Sequence, residues 1–225
     1  MKKLILPTLR TFAIGVVALG LLLFLPAWTL NYWQGWLFIV VFLVAVNGIG
    51  VYLSLYDPEL LERRKKFGPA SEESPAQKII MTLAIVVIPA LFIFCALDHR
   101  FGWSPVPTPI VLLGDLMVAL GLYVNLLVFR ANSYGGSTIE TVENQKVITT
   151  GPYALVRHPM YVGVLIMVAG VPLALGSWWG LLIVALEVPV LAWRILDEER
   201  ILRQDLPGYT EYTQKVHYRL VPNLW

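Results

Sequence analysis

The charged residues near the C-terminal end of this chain are the ones whose types and spacing could support chemistry. Arg157 and His158 directly precede an apolar run that begins at Pro159. A helix that starts there points its unpaired backbone N–H groups and its positive dipole end toward the same place, and such helix ends bind carboxylates and phosphates. A proline-bounded turn with interfacial tyrosines is the alternative interpretation, but it leaves both side chains unexplained. The sequence therefore indicates an anion-binding position beside the start of a helix.

A second group of ionisable residues lies in and just after the last apolar run. Glu187, Arg194 and Glu198 share one helical face, and Arg194 and Glu198 have the i,i+4 spacing at which side chains meet. An ion pair that ends the helix is the simpler interpretation of that pair. Glu187 lies inside the run, where an ionisable side chain is expensive and usually faces a cavity or a partner. A protonated Glu187 that donates to a carbonyl freed by Pro189 is the structural alternative.

The elements that must position these residues are membrane-spanning helices. The chain is 57% hydrophobic and 14% charged, with a mean hydropathy of +0.69, whereas soluble domains have about 25% charged residues. Runs of about 20 apolar residues match the thickness of a bilayer core. The predicted spans are 11–30, 33–56, 79–97, 110–130, 160–175 and 178–195. The sequence thus predicts an all-α integral membrane protein with about six transmembrane helices and a cytoplasmic amphipathic tail helix.

The distribution of Lys and Arg predicts the orientation. All 17 of these residues except Arg100 fall on one side of a six-span topology, and cytoplasmic loops retain positive charge during insertion. We therefore expect a multi-pass protein, of bacterial inner-membrane type, with cytoplasmic N- and C-termini. The opening Met1-Lys2-Lys3 could also begin a secretory signal, but no small-residue cleavage site follows, so we expect an uncleaved first span.

Composition also excludes several classes of protein. A net charge of +2 without a basic stripe argues against nucleic-acid binding, and the absence of an internal repeat gives no support to a transporter built from inverted halves. Cys95 is the only cysteine, so neither an intrachain disulfide nor a cysteine-ligated metal site can form, and we predict no metal. We divide the chain into four N-terminal spans, 1–136, and a C-terminal functional half with two spans and the tail, 137–225.

Several short motifs in the C-terminal half keep one order and spacing. They are Gly151-Pro152-Tyr153, then Arg157-His158-Pro159-Met160-Tyr161-Val162-Gly163, then Arg194-Ile195 with Glu198-Glu199, then Leu206-Pro207-Gly208-Tyr209 with Tyr212 and Pro222. This pattern resembles the isoprenylcysteine carboxyl methyltransferase family and its bacterial relatives. Two positions depart from the family pattern. Gln145 stands where the family usually has a histidine, and the Leu-Pro-Gly-Tyr segment replaces a Phe-Gly pair of the eukaryotic enzymes.

The resemblance implies an S-adenosyl-L-methionine site on the cytoplasmic side. The residues at the family's cofactor-binding positions are Gln145, Lys146, Val147, Ile148, Tyr153, His158, Pro159, Met160, Tyr161 and Glu198. Arg194 falls where the family has a substrate-binding arginine. We therefore expect carboxyl O-methylation of a lipophilic or lipidated substrate that enters from the bilayer. Arg194 would orient the acceptor carboxylate, and Glu198 would face the cofactor.

Three other functions stay open at this point. An amine acceptor of the phospholipid type would need a general base, for which Glu187 or Glu199 is the candidate. Proteins of this C-terminal type also resemble membrane sterol reductases, so an NADPH-dependent reductase is a second possibility. A catalytically silent scaffold, in which Arg194 and Glu198 only cap a helix, is the third. The sequence determines neither the methyl acceptor nor the oligomeric state.

Overall fold

The computed structural model describes residues 2–139 and 145–225, and every regular element within those ranges is helical. The helices are α1 (Lys2–Ala27), α2 (Trp33–Tyr56), α3 (Pro58–Lys65), α4 (Pro75–Phe101), α5 (Thr108–Ala131), α6 (Pro159–Ala174), α7 (Gly180–Asp205) and α8 (Tyr209–Lys215). Two 3-10 turns, Pro69–Ser71 and Gly151–Ala154, lie in the connections. The all-α fold expected from the sequence is confirmed.

The helices account for about six membrane spans. Four of them, α1, α2, α4 and α5, are long and apolar enough to cross a bilayer, and α6 is a shorter apolar helix. The first half of α7 is also apolar, and the sequence predicts that a span within it ends near residue 195. The tail differs from the expectation because α7 continues without a break to Asp205. Beyond it, only the short α8 is helical, and residues 216–225 are irregular.

Glycines bring α5 and α6 into direct backbone contact. A Cβ atom on Gly121 would lie 2.4 Å from the carbonyl oxygen of Gly163, and one on Gly114 would lie 2.8 Å from that of Gly170. Small residues at such positions let membrane helices pack closely without side chains between them. The pairing is antiparallel. It therefore places the start of α6 beside the end of α5, where the predicted site residues lie.

Polar contacts join the helix connections at the opposite end of the bundle. The Tyr32 hydroxyl donates to the Leu175 carbonyl at 2.7 Å and so links the α1–α2 connection to the end of α6. The buried carboxylate of Asp98 accepts hydrogen bonds from the hydroxyls of Ser104 and Ser177. These contacts bring the α1–α2, α4–α5 and α6–α7 connections together. The ends of α2 and α5, the starts of α4 and α6 and the charged half of α7 consequently meet at the other end.

Candidate functional site

A polar cavity lies between the end of α5, the loop after it, the start of α6 and the charged half of α7. Its lining includes all but one of the sequence-predicted cofactor residues, namely Gln145, Lys146, Val147, Ile148, Tyr153, His158, Met160, Tyr161 and Glu198. Arg194 is part of the same lining. Pro159 is not, because it is the buried first residue of α6 and its ring starts that helix. The structure thus brings the predicted residues together, while their roles stay predictions.

Tyr153 is held in the 3-10 turn before α6 from both sides. Its hydroxyl accepts a hydrogen bond from the Asn132 side chain at 2.9 Å, and its carbonyl accepts one from the Tyr212 hydroxyl at 2.7 Å. Burial raises the pKa of Tyr153 to about 12, so its phenol is neutral at physiological pH. Tyr212 belongs to the motif in α8, and its contact explains how the tail supports the cavity wall.

Glu199 is the centre of a buried ionic cluster on the charged half of α7. Its carboxylate accepts hydrogen bonds from Arg157 at 2.8 Å and from Arg203 and Arg219 at 3.2 Å, and its Oε1 lies 3.2 Å from the His158 ring. The sequence predicts an anion beside Arg157 and His158. In the structure this position holds a carboxylate of the chain itself.

These surrounding cations determine the ionisation of Glu199. Burial alone would raise its pKa, but the His158 hydrogen bond and the charges of His158, Arg157 and Arg219 outweigh it and lower the pKa to about 2. The backbone adds to the cluster, because the amides of Arg157 and His158 donate to the carbonyls of Tyr218 and Arg219 at 2.9 Å. The irregular end of the chain is therefore fixed to the start of α6.

Tyr161 connects the two residues that the sequence places on one face of α7. Its hydroxyl donates to the Glu198 carboxylate at 2.6 Å and accepts from Nε of Arg194 at 3.1 Å. Arg194 forms its ion pair with Glu72 and not with Glu198. The i,i+4 spacing thus brings Arg194 and Glu198 to the same place, but a tyrosine hydroxyl from α6 lies between them.

Glu72 and Gln77 hold the rest of the Arg194 guanidinium. Glu72 Oε1 accepts from both terminal nitrogens at 3.2 Å, Gln77 accepts from Nη1 at 2.8 Å, and Nη2 donates to the Ser137 carbonyl at 3.0 Å. The side chains of Arg194 and Glu72 are only 12% and 1% exposed. All five N–H groups of the arginine therefore have acceptors within the protein, and an acceptor carboxylate could bind it only by displacing one of them.

The loop after α5 is attached to the N-terminal part of the chain. Arg64 donates to the carbonyls of Gly135 and Gly136 at 3.0 and 3.2 Å, and the Ser137 hydroxyl donates to the Arg64 carbonyl at 2.9 Å. Glu72 accepts from the Ile139 amide at 3.2 Å. The connection between α2 and α4 therefore forms part of the site, although its sequence carries no motif.

An apolar cavity of about 280 Å³ adjoins the polar one, between α4, α5, α6 and α7. Aliphatic side chains such as Ile80, Val168 and Leu191 line it, and its polar lining includes Asn125 and Glu187. Four residues belong to the walls of both cavities: Gly136, Met160, Tyr161 and Arg194. Arg130 lines neither cavity and is exposed at the end of α5. The arrangement provides one site for a polar ligand and one site for an apolar ligand, and the two sites share a wall.

Sequence reasoning missed the residues that support this wall from a distance. Glu72, Gln77 and Arg64 lie in or next to a polar loop between spans, where charged residues are expected for solvation alone. The sequence suggests Glu199 only as a possible base, yet its position directly after Glu198 puts it on a different face of α7. A sequence signal was available for Glu199, because Arg203 follows it at the i,i+4 spacing at which side chains meet. None was available for Glu72.

Comparisons with known proteins place the site in a methyltransferase-like region. Residues 109–206 match the family model described as phospholipid methyltransferase. That range runs from the start of α5 to the end of α7, and it contains both the predicted cofactor residues and Arg194. It leaves α1 to α4 unmatched. The narrower resemblance to isoprenylcysteine carboxyl methyltransferases stays a prediction.

The chain is also similar to the Delta(14)-sterol reductase TM7SF2 of Mus musculus. The two sequences are 28% identical over 136 residues, which cover 54% of this chain and 32% of the reductase. The chain therefore spans about a third of the length of this curated relative. Reductase chemistry enters below as an alternative on this basis.

Proposed function

We propose that this protein is an integral membrane methyltransferase that transfers a methyl group from S-adenosyl-L-methionine to a lipophilic acceptor. The observation that carries the proposal is the common wall of Met160, Tyr161 and Arg194 between a polar and an apolar cavity. A charged, water-soluble methyl donor suits the polar side, and an acceptor with an apolar tail suits the membrane side. The similarity of residues 109–206 to phospholipid methyltransferases supports the same class of reaction.

The polar cavity has unused hydrogen-bonding groups for such a cofactor. Thr138 Oγ1, Arg157 Nε and Tyr209 Oη line it, are buried, and have no hydrogen-bond partner among residues 2–139 and 145–225. Buried polar atoms without partners are costly, so a ligand with hydroxyl and carboxylate groups would compensate them. The open space is about 110 Å³, less than the roughly 300 Å³ of a typical ligand pocket. A cofactor of the expected size would therefore need more space than this cavity provides.

A bound sulfonium donor supplies an already activated methyl group, so the chain's own residues mainly align two ligands and exclude water. Tyr161 is placed to do so because its hydroxyl is fixed between Glu198 and Arg194. Glu198 is the acid on the cofactor side. Arg194 borders the acceptor side and holds the tyrosine in place.

Two acceptor groups fit this site. A carboxylate is itself the nucleophile. Its oxygen forms the new bond to the methyl carbon while the electron pair of the C–S bond returns to sulfur, and no proton moves. An amine of the phospholipid type must first lose a proton, and Glu187 is the carboxyl in the acceptor cavity that could take it. The family match favours the amine, and the sequence motifs favour the carboxylate.

A nicotinamide-dependent reductase is the competing function, and the similarity to a sterol reductase is the observation that favours it. The phosphate groups of a nicotinamide cofactor would need cations beside the polar cavity that are not already paired with a carboxylate. Two of the arginines there are already paired, Arg157 with Glu199 and Arg194 with Glu72. This charge balance supports a less anionic cofactor.

Calorimetry on purified protein distinguishes these functions. We expect heat of binding with S-adenosyl-L-methionine and with its demethylated product, and none with NADPH. The reverse result would transfer support to the reductase. Absence of binding in both experiments would favour a scaffold in which Arg194 and Glu198 only stabilise α7. Arg200→Ala is a suitable control, since its side chain is 62% exposed on the same helix.

A further inference from the structure

Two arginines line the apolar cavity, and they differ in how their charge is balanced. Arg194 has every N–H group bonded within the protein, including two bonds to the carboxylate of Glu72. Arg64 also lines this cavity, but it has no carboxylate partner among the described residues. The charge of Arg194 is thus balanced by a carboxylate. The charge of Arg64, which lies outside the matched range 109–206, is not balanced by any carboxylate among the described residues.

The surroundings of Arg64 leave part of its guanidinium free. Within the described part of the chain, its side-chain hydrogen bonds all come from Nη1, which donates to Gly135, Gly136 and the Met160 sulfur. The guanidinium carbon lies 4.3 Å from the centre of the Phe129 ring, an attraction that holds the group without neutralising it. Nε and Nη2 therefore remain available on one edge of the fork.

Burial makes this charge dependent on a partner. The apolar surroundings lower the pKa of Arg64 from its usual value, with partial compensation from Tyr161 and Tyr153. A half-buried guanidinium of this kind gains much from an anion, because it binds planar oxygen groups through two parallel hydrogen bonds. An apolar cavity with such a group at one end suits an amphiphile with a negative head.

We propose that Arg64 binds the anionic group of the methyl acceptor in the apolar cavity, and that Arg194 does not. This inference rests on the proposed function and adds a binding residue outside the matched range 109–206. The anion is either the acceptor carboxylate itself or the phosphate next to the amine of a phospholipid headgroup. Both present two oxygens to the free edge of Arg64, and both keep their tail in the apolar cavity.

The test compares probes that share one tail and differ only in the head. Radiolabelled dodecanoate, dodecyl phosphate and neutral dodecanol are titrated against purified protein in digitonin, without cofactor, and binding is measured by scintillation proximity. We expect at least one anion to bind about ten to a hundred times more tightly than dodecanol, the size expected for charge-assisted hydrogen bonds. Whether dodecanoate or dodecyl phosphate binds better identifies the source of the anion.

Arg64→Gln should reduce this preference for the anion to near one while dodecanol binding changes about twofold or less. Arg64→Lys, which keeps the charge but not the fork, should retain an intermediate preference. Lys65→Gln is the matched control, because that neighbouring side chain is 61% exposed and lines neither cavity. An equal loss for all three probes would mean that Arg64 only anchors the loop after α5, and the proposal would be wrong.

The wild-type protein provides a test that does not depend on the variants folding. If dodecanol binds as tightly as both anions, the inference fails even when calorimetry detects S-adenosyl-L-methionine. If the anion preference is present but no methyl donor binds, the inference about Arg64 stands and the proposed function fails. The proposal would also be wrong if the preference for the anionic probes is lost in Arg194→Lys and retained in Arg64→Gln. Arg194 would then be the residue that binds the anion.

Discussion

Removing Arg194 should destabilise the fold as well as impair the reaction, because Glu72 depends on it. Arg194→Ala leaves the Glu72 carboxylate, whose side chain is 1% exposed, with the Ile139 amide as its remaining hydrogen-bond partner among the described residues. Gln77 loses a partner at the same time. A substrate-binding arginine with free donors would behave differently, since its removal would leave no buried acid behind.

The size of the effect follows from the burial of the pair. Breaking a buried ion pair by removing one partner costs roughly 3–5 kcal/mol, because the remaining charge is neither solvated nor paired. For a chain of this length, 1 kcal/mol corresponds to a shift in Tm of roughly 2–4 °C. We therefore expect Arg194→Ala to lower the Tm by roughly 10 °C. Arg194→Lys should have a Tm between those of the wild type and Arg194→Ala, since it keeps the charge but cannot reach Glu72 and Tyr161 at once.

Thermal unfolding of detergent-purified protein, followed by tryptophan fluorescence, measures this shift. The informative variant is the double substitution Arg194→Ala with Glu72→Gln, which removes the unpaired acid. It should recover a large part of the lost Tm and give an interaction energy in a double-mutant cycle. Glu73→Gln is the control for the acid, because Glu73 is the exposed neighbour of Glu72.

One result would refute this reasoning directly. If Arg194→Ala unfolds within about 1 °C of the wild type while methyl transfer is lost, Glu72 does not depend on the arginine. Arg194 would then be free to orient an acceptor carboxylate, as the sequence resemblance implies. A lowered Tm that Glu72→Gln fails to restore would show that the damage comes from Gln77 or Tyr161 instead.

Four further predictions follow from the same structure. His158→Ala and Glu198→Ala should each weaken binding of S-adenosyl-L-methionine about tenfold in calorimetry, whereas unchanged affinities would remove these residues from the cofactor site. Because Glu199 has a pKa of about 2 in the fold against 4.5 for the free side chain, stability should fall as the pH drops from about 4.5 to 2. Glu199→Gln should remove the part of that dependence that comes from Glu199 and so flatten the acid-unfolding curve over this range. Gly121→Leu should prevent α5 and α6 from packing and lower the yield of folded protein more than Gly48→Leu, whose Cβ meets open space. Reporter fusions should place both termini in the cytoplasm, and an external C-terminus would contradict the six-span topology.

The helices could be predicted from the sequence because each span is a local property of the chain. The run 33–56 coincides with α2, and the face shared by Arg194 and Glu198 follows from helical periodicity alone. The cavity residues before α6 could be identified because their motifs are short and continuous. Periodicity extends the helix past its span to Glu198, but it could not show that α7 continues to Asp205, since no apolar pattern marks the last turns.

The contacts that complete the site could not be predicted, because they join distant segments. Arg194 and Glu72 are 122 residues apart, and the Arg64 bonds to the loop after α5 span 71 and 72 residues. Neither Glu72 nor Arg64 lies in a periodic segment or a recognisable motif. Only the packing of α4 against α7 brings Glu72 to the arginine, and a single sequence contains no record of that packing.

The pairing of Arg194 with Glu72 also bears on how a positively charged methyl donor could approach the wall between the cavities. An uncompensated guanidinium there would repel a sulfonium, at a cost of about 4 kcal/mol for unit charges 4 Å apart in an effective dielectric of 20. The negative charge of Glu72 offsets much of that repulsion. Arg194 still donates the hydrogen bond that holds the Tyr161 hydroxyl. Arg64, which has no carboxylate partner among residues 2–139 and 145–225, lies in the wall of the apolar cavity and is absent from the lining of the polar one. Under the proposed function, Arg64 would attract an anionic acceptor in the apolar cavity, while Glu72 reduces the repulsion that a cationic methyl donor meets at Arg194.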